Sequence, residues 1–336
     1  MSYLGVFLLA ATLALALTPA AGRLGLRWGI VARPGGRRQH TGEVSKLGGV
    51  AVAAAYFAAV ILAYRLLPPI GDDIRRLRGV LLGSGIVFLG GWLDDRYDLS
   101  PWAQFAIQAA AALAAMSHLI FIGVFTNPIG GQIVQLEHRW PWLAYGVTLV
   151  WVMGIMNAVN WLDGVDGLAA GVGAIAMCMF AWHSHNLGQT TVAAFPLALA
   201  GALLGFLPFN FAPARIFLGS AGAYVLGYNL AALSILSPAK IATTLLVLAL
   251  PLLDGAWRVI DRLRHRQNPL QGDRGHLHFR LLDRGWPIWR IVLSYYGVAL
   301  TFGLIAIFAP SALSKLVVLG VMGAAILAGL IWQSRH

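Results

Sequence analysis

The sequence is poor in charge, in acidic residues and in cysteine. Only 11% of its 336 residues are charged and 59% are hydrophobic, and the mean hydropathy is +0.73. A soluble domain carries roughly 25% charged residues because most of its surface faces water. The composition therefore excludes a soluble globular enzyme, a disordered chain and a coiled coil. The single cysteine, Cys178, lies inside an apolar run, which excludes intrachain disulfides and cysteine-based metal sites.

Eleven apolar runs fill most of the chain, and a membrane-spanning helix needs about 20 apolar residues. They cover residues 2–21, 47–69, 79–93, 101–122, 141–160, 164–184, 191–209, 221–236, 240–260, 288–309 and 314–333. We therefore expect an all-α polytopic membrane protein that forms a single domain over residues 1–336. The first run is interpreted as a span rather than a signal peptide, because no basic residue precedes it and ten more runs follow.

The basic residues divide unequally between the two sides that eleven spans define. One side receives 17 of the 24 lysines and arginines, including eight arginines from Arg258 to Arg290, and the other side receives 7. Basic loops remain in the cytoplasm, which predicts an external N-terminus and a cytoplasmic C-terminus. The net charge of +11 then reflects membrane orientation rather than nucleic-acid binding. On the external side, residues 123–140 are expected to form a turn or hairpin at the membrane surface.

Ten of the 13 acidic residues lie on the predicted cytoplasmic side, several of them at helix ends. Ionisable groups are costly in a membrane region, so each needs a physical reason. Asp94 and Asp95 close the third span. Adjacent acids at such a position are ordinarily a solvated helix cap, and this alternative stays open for the pair.

The segment between the fifth and sixth spans carries a stronger signal. Asn157, Asn160 and Asp163 are three residues apart, so a helix places them along one face, and Asp166 follows after a glycine. Oxygen ligands of this kind suit Mg²⁺, which one or two carboxylates and phosphate oxygens commonly hold. The alternative is a turn rich in asparagine and aspartate between two spans.

Two further loops on the same side carry groups that favour anions. The loop from Asn210 to Ser220 leads with glycine into the eighth span, and helix N-termini of this kind bind anions. In the later loop, His276 and His278 lie beside Arg274 and can bind phosphate or transfer a proton. The alternatives are an ordinary connection for the first loop and contact with lipid head groups for the second.

Together these loops bring carboxylates, arginines and histidines to one membrane face. Carboxylates indicate a divalent cation, and arginine and histidine indicate phosphates. The combination predicts phosphoryl transfer between a soluble donor and a membrane-bound acceptor. The chain has no Walker loop, kinase signature or GxGxxG fingerprint, so ATP is not the expected donor.

In these motifs the chain resembles the polyprenyl-phosphate N-acetylhexosamine-1-phosphate transferase family, which includes the phospho-MurNAc-pentapeptide transferases. The matching pieces are, in order, Arg37-Arg-Gln-His40 with Gly48-Gly49, Asp94-Asp95, Asn157 to Leu168, Asn210 to Gly219, and Asp273-Arg-Gly-His-Leu-His278. The arginine-rich last loop is more similar to the GlcNAc-1-phosphate branch than to the MurNAc-pentapeptide branch.

The resemblance implies a reaction at the cytoplasmic face of a bacterial inner membrane. Undecaprenyl phosphate would attack the β-phosphorus of UDP-GlcNAc, giving UMP and a lipid pyrophosphoryl sugar for cell-envelope polysaccharide. Mg²⁺, or Mn²⁺ in its place, would neutralise the developing charge. Membrane lipid is an expected partner and nucleic acid is not, and the oligomeric state, with a homodimer as one option, stays open.

The same resemblance assigns roles to individual residues. Asp94, Asp95 and Asp163 would be catalytic, with Asp94 accepting the proton of the lipid phosphate or orienting that phosphate. Asn160 and Asp163 would hold the metal ion. The uridine would lie against Asp166, Asn210 and Phe217. The full set of implied substrate-binding residues is Asn157, Asp166, Asn210, Phe217, Arg274, His276, His278, Arg38 and His40.

Two residues depart from the family pattern. Ser220 stands where the family usually has a metal-binding aspartate, and Phe279 stands where it often has a further histidine. Two other functions therefore remain open. One is a non-catalytic relative that binds lipid phosphate or nucleotide sugar, and the other is a secondary transporter, whose polar residues would lie near the membrane midplane.

Overall fold

The computed structural model describes residues 2–32, 42–127, 129–236, 238–268, 274–309 and 311–335. Its helices are α1 (Ser2–Trp28), α2 (Gly48–Leu66), α3 (Asp72–Tyr97), α4 (Pro101–Ser117), α5 (Leu136–Arg139), α6 (Pro141–Leu162), α7 (Leu168–Asn186), α8 (Thr190–Asn210), α9 (Gly219–Ile235), α10 (Pro238–Val247), α11 (Ala249–Arg264), α12 (Leu277–Asp283), α13 (Ile288–Phe308) and α14 (Ala312–Arg335). Short strands form two antiparallel pairs, β1 (Val31–Ala32) with β2 (Val44–Ser45) and β3 (Val124–Thr126) with β4 (Ile133–Gln135).

Helices occupy all eleven predicted spans, so the prediction of a mostly helical multi-pass membrane protein is confirmed. Within the described ranges, α1, α2, α3, α6, α7, α8, α13 and the Ala312–Gly329 part of α14 are each long and apolar enough to cross a membrane. Helices α4 and α9 have 17 residues each, slightly fewer than the roughly 20 that a full span needs. The count of eleven spans and the orientation stay predictions.

The predicted ninth span, 240–260, consists of two helices, α10 and α11, with a bend between them. The axes of Ile241–Val247 and Ala249–Arg264 differ by 74°. Pro251 explains the break, because it cannot donate a hydrogen bond to the carbonyl of Val247 and its ring would clash there in a continuous helix. The bend gives α11 a direction of its own, which brings its side chains towards α12.

Helix α9 forms the centre of the bundle and packs against α2, α3, α6 and α10. Nearly all of its residues are buried. Asn229 accepts a hydrogen bond from the hydroxyl of Tyr56 on α2 (2.7 Å) and donates one to the hydroxyl of Ser84 on α3 (2.8 Å). Such bonds are a main source of helix association in lipid, where apolar burial between helices contributes little. They hold the middle of α9 against α2 and α3.

The segment predicted to be external folds as expected from the sequence. β3 and β4 form a hairpin in which Val124 pairs with Gln135 and Thr126 with Ile133. The hairpin predicted within residues 123–140 is therefore confirmed.

Candidate active site

Asp95 is bound to the first turn of α9. Its side chain is 5% exposed, and its Oδ1 and Oδ2 accept hydrogen bonds from the backbone N–H groups of Ser220 (2.9 Å) and Ala221 (3.0 Å). A carboxylate is favourable at a helix N-terminus, where unpaired N–H groups carry partial positive charge. Both oxygens of Asp95 therefore stabilise the junction between α3 and α9.

Asp94, the neighbouring residue, has a different set of contacts. It is 7% exposed, and its Oδ1 accepts hydrogen bonds from the backbone N–H of Leu99 and from Nε2 of Gln104, both at 3.0 Å. Its Oδ2 has no hydrogen bond to the part of the chain that the structure describes. The pair thus divides into one carboxylate with two occupied oxygens and one with an oxygen left for a substrate.

The segment from Phe217 to Gly222 is held by the start of α2. Gly48 and Gly49 donate backbone hydrogen bonds to the carbonyls of Phe217 (3.0 Å) and Leu218 (2.7 Å). A Cβ on Gly49 would lie 2.1 Å from the nitrogen of Gly222, so only glycine permits this approach. The Gly48-Gly49 motif therefore fixes the segment that begins at Phe217 and contains the two N–H groups that bind Asp95.

The loop between α6 and α7 carries the second acidic pair. Asp163 ends α6, where its N–H still bonds to the carbonyl of Val159 (3.1 Å). The sequence prediction that Asn157, Asn160 and Asp163 follow one helix is confirmed up to this cap. Asp166 accepts a hydrogen bond through Oδ2 from the N–H of Ala214 (2.9 Å), which ties the loop to the segment after α8.

Gly167 forms hydrogen bonds through both its N–H and its carbonyl. Its N–H donates to Oδ1 of Asn210 (3.1 Å), and its carbonyl accepts a hydrogen bond from the hydroxyl of Tyr296 on α13 (2.6 Å). Its φ of +78° is a left-handed conformation that favours glycine. Asn210 also donates through Nδ2 to the carbonyl of Ile216 (3.0 Å). The loop that carries Asp163 and Asp166 therefore has a fixed shape.

A cavity of about 260 Å³ opens beside this loop. Its lining consists of loop residues, the end of α8 and the α12–α13 turn: Asp163, Gly164, Val165, Asp166, Asn210, Phe217, Arg274, Phe279, Leu282, Gly285, Trp286, Pro287 and Ile288. Five of the predicted site residues are in this lining: Asp163, Asp166, Asn210, Phe217 and Arg274. Phe217, one of the lining residues, is three residues before Ser220, whose N–H binds Asp95.

The two predicted histidines lie on the segment that begins α12. Nδ1 of His276 is 2.8 Å from Oδ2 of Asp254, and its ring centroid is 5.6 Å from that of Trp161. His278 is 2% exposed, and its Nε2 has no hydrogen bond to any described residue. Burial, and to a smaller extent the neighbouring His276, lowers the pKa of His278 to about 3. His278 is therefore neutral at neutral pH and can act on a phosphate only as a neutral hydrogen-bonding group.

Arg274 and Phe279 complete the back wall of the cavity. Arg274 forms an ion pair with Asp283 at 2.6 Å, and its guanidinium carbon lies 5.3 Å from the ring centroid of Phe279. Phe279 is buried against Gly164, where a Cβ would lie 2.7 Å from the ring. Phe279, which stands where the family often has a further histidine, thus packs on the loop that carries Asp163 and Asp166.

The other predicted residues are outside the cavity lining. Asn157 exchanges hydrogen bonds with Gln108 on α4 (2.8 and 3.3 Å), and Asn160 is half-buried in the last turn of α6. Ser220 is half-buried beside Asp95. Arg38 and His40 lie outside the described residues. The roles that the resemblance implies for these residues stay predictions.

Three residues at the site have no role in the sequence prediction. The sequence provides a reason to expect a role for Asp254, because an acid inside an apolar run needs a partner. Nothing in the sequence identified His276 as that partner. The sequence provides no reason to expect a role for Tyr296, since this residue lies in an ordinary apolar run 129 residues from Gly167. Lys46 was counted only among loop cations. In the structure its Nζ is 3.1 Å from Oδ1 of Asp98, and its charge is close enough to act on Asp95.

Comparison of the amino-acid sequence with known proteins identifies its family. Residues 77–238 match the model of glycosyl transferase family 4. The chain is 30% identical over 312 residues to the probable undecaprenyl-phosphate N-acetylglucosaminyl 1-phosphate transferase of Bacillus subtilis (strain 168), covering 91% of this chain and 84% of that one. The chain belongs to the polyprenyl-phosphate sugar-1-phosphate transferase family. The resemblance drawn from the motifs is thereby confirmed.

Both branches of the family are similar to this transferase. The decaprenyl-phosphate N-acetylglucosaminephosphotransferase of Mycobacterium tuberculosis (strain ATCC 25618 / H37Rv) is 34% identical over 319 residues, which are 86% of this chain and 77% of that one. The phospho-N-acetylmuramoyl-pentapeptide-transferase of Geobacillus kaustophilus (strain HTA426) is 29% identical over 302 residues, which are 84% of this chain and 89% of that one.

Proposed function

We propose that this transferase moves N-acetylglucosamine 1-phosphate from UDP-GlcNAc to undecaprenyl phosphate in a bacterial inner membrane and releases UMP. The observation that carries the proposal is the cavity that Asp163, Asp166, Phe217 and Arg274 line, at the ends of apolar helices. The segment after Phe217 connects this cavity to Asp95 through the N–H of Ser220. A water-soluble donor and a lipid acceptor can meet at such a place. The name of the Bacillus subtilis relative supports GlcNAc as the sugar.

The residues of the site suit the steps of this reaction. An oxygen of the lipid phosphate attacks the β-phosphorus of the donor, and the bond to the α-phosphate oxygen breaks, so that UMP leaves with the bonding electrons. Asp94 has an oxygen available to accept the proton of the lipid phosphate or to orient it. Phe217 offers a ring for the uracil, and Arg274 supplies positive charge at the cavity wall.

Mg²⁺ fits the donor set of the cavity. Asp163 and Asp166 both line it, and Mg²⁺ is typically held by one or two carboxylates together with water and substrate phosphates. Among the described residues, no group of three or more His, Cys, Asp or Glu side chains is placed to hold a metal ion. Asp163 would hold the ion together with Asn160, which lies outside the lining but three residues earlier on the same face of α6, and the donor diphosphate would be the main remaining ligand. When bound, Mg²⁺, or Mn²⁺ in its place, neutralises the charge of the diphosphate.

The test is a donor panel with a radiometric or coupled assay for UMP. Purified protein in nanodiscs receives undecaprenyl phosphate, Mg²⁺ and, separately, UDP-GlcNAc, UDP-GalNAc, UDP-glucose or UDP-MurNAc-pentapeptide. We expect acceptor-dependent UMP release with UDP-GlcNAc and none from the Asp163→Asn variant. Donor binding without UMP release would indicate the non-catalytic relative instead.

A further inference from the structure

We infer that Asp254 is a positioning residue that fixes the ring orientation and the tautomer of His276, so that His276 presents Nε2 to a substrate phosphate. The inference rests on the proposed function for the identity of that phosphate. No role for Asp254 follows from the motifs of the family described above, because it lies in an apolar run between two of them.

The first observation is the burial of Asp254. It is 3% exposed and lies on α11 just after the bend from α10. A buried carboxylate without partners is costly, and a charged one is retained only where it is paired or hydrogen-bonded. Both of its oxygens have partners, and both partners belong to the segment that begins α12.

The two bonds serve different purposes. Oδ1 accepts the backbone N–H of Leu277 at 3.0 Å, which satisfies a free donor in the first turn of α12. Oδ2 lies 2.8 Å from Nδ1 of His276. One carboxylate therefore sets both the start of α12 and the imidazole that precedes it.

The imidazole also contacts a residue of α6. The ring of Trp161 lies 5.6 Å from that of His276, at 30° to it. Trp161 in turn packs on Gly255, where a Cβ would lie 2.2 Å from the indole. Since Trp161 is two residues before Asp163, His276 is fixed relative to the residue proposed to hold Mg²⁺.

These contacts determine the tautomer. An ionised carboxylate only accepts hydrogen bonds, so Nδ1 of His276 carries the proton that it shares with Asp254. Nε2 is then the nitrogen left for a substrate, as an acceptor in the neutral ring or as a donor in the protonated ring. A carboxylate that orients a histidine in this way is a common arrangement in metal and acid–base sites.

The test compares Asp254→Asn with His276→Ala and with the double variant. In Asp254→Asn the amide oxygen can still accept the N–H of Leu277, but its NH₂ group faces Nδ1 and favours the opposite tautomer. We expect UMP release to fall about 10- to 100-fold, the usual cost of losing such an orienting group. Asp254→Glu should recover part of the activity. The double variant should be no slower than His276→Ala alone, because Asp254 acts through His276.

Asp261→Asn is the matched control, since Asp261 lies on the same helix and pairs with Arg258 (2.7 Å) and His265 (3.5 Å) rather than with His276. It should keep near-normal activity. Losses from Asp254→Asn and His276→Ala that multiply in the double variant would overturn the inference.

A second readout does not depend on turnover. The ¹⁵N chemical shifts of His276, assigned by difference from a His276→Gln variant, should show the proton on Nδ1 in the parent and on Nε2 in Asp254→Asn. An unchanged tautomer in Asp254→Asn would overturn the inference. If the parent protein released no UMP but showed this tautomer change, the proposed function would fail and the role of Asp254 would stand.

Discussion

Asp94 and Asp95 are adjacent and similarly buried, yet their replacement by asparagine should have different consequences. In Asp95→Asn, the single amide oxygen can accept only one of the two N–H groups, from Ser220 or Ala221, and the NH₂ group faces the other. Burial opposes the charge of Asp95, so the loss comes mainly from the buried N–H that is left without an acceptor, which costs about 1–3 kcal/mol. We therefore expect the free energy of unfolding to fall by about 1–3 kcal/mol.

Asp94→Asn should leave the fold almost unchanged. The amide oxygen can take the place of Oδ1 and keep the bonds from Leu99 and Gln104, both 3.0 Å long. The loss of unfolding free energy should stay below about 1 kcal/mol, the typical net value of one hydrogen bond. Turnover should fall by about 10²–10⁴-fold, because a neutral amide cannot accept the proton of the lipid phosphate.

The assay measures stability and activity on the same samples. Unfolding is followed by tryptophan fluorescence during an SDS titration in mixed micelles, and UMP release is measured before the titration. The reasoning is refuted if Asp94→Asn is as destabilised as Asp95→Asn, or if Asp95→Asn unfolds at the same SDS fraction as the parent protein.

Three other substitutions test further parts of the site. Asp163→Asn should leave the protein folded and lower UMP release by about 10²–10⁴-fold, and near-normal turnover would remove Asp163 from the mechanism. Ser220→Asp should lower the Mg²⁺ concentration for half-maximal rate, because a carboxylate attracts Mg²⁺ more strongly than a hydroxyl; an equal or higher value in a Mg²⁺ titration would mean that Ser220 does not face the ion. Tyr296→Phe removes the bond to Gly167, so it should cost about 0.5–1.5 kcal/mol of stability and raise KM for the UDP-sugar, and an unchanged KM would contradict a positioning role for this bond.

The sequence predicted the helices because their signal is local. Low charge and long apolar runs place a helix at each of the eleven positions, and turn residues mark the hairpin of Val124–Thr126 with Ile133–Gln135. The break of the ninth run was missed because hydropathy averages over the window that contains Pro251. Pro251 is a local indication of a break in the helix, but the prediction of the span gave more weight to the apolar pattern.

The site was predictable only in part. Motif residues such as Asp163 and Phe217 do line one cavity, as expected of oxygen and aromatic groups at helix ends. Contacts such as those of Tyr296 with Gly167 and of Asp254 with His276 join residues far apart in the chain. They depend on how the helices pack, which a single sequence does not reveal. The different bonding of Asp94 and Asp95 is likewise set by the position of α9.

The measurement that tests the central claim most directly is the fate of the β-phosphate of the donor. UDP-GlcNAc labelled at this phosphate is incubated with the purified protein, undecaprenyl phosphate and Mg²⁺, and the lipid is extracted with butanol. Transfer of the sugar 1-phosphate predicts label in the lipid and unlabelled UMP in the water phase. Release of labelled UDP with an unlabelled glycolipid, or the absence of any labelled lipid, would contradict the account.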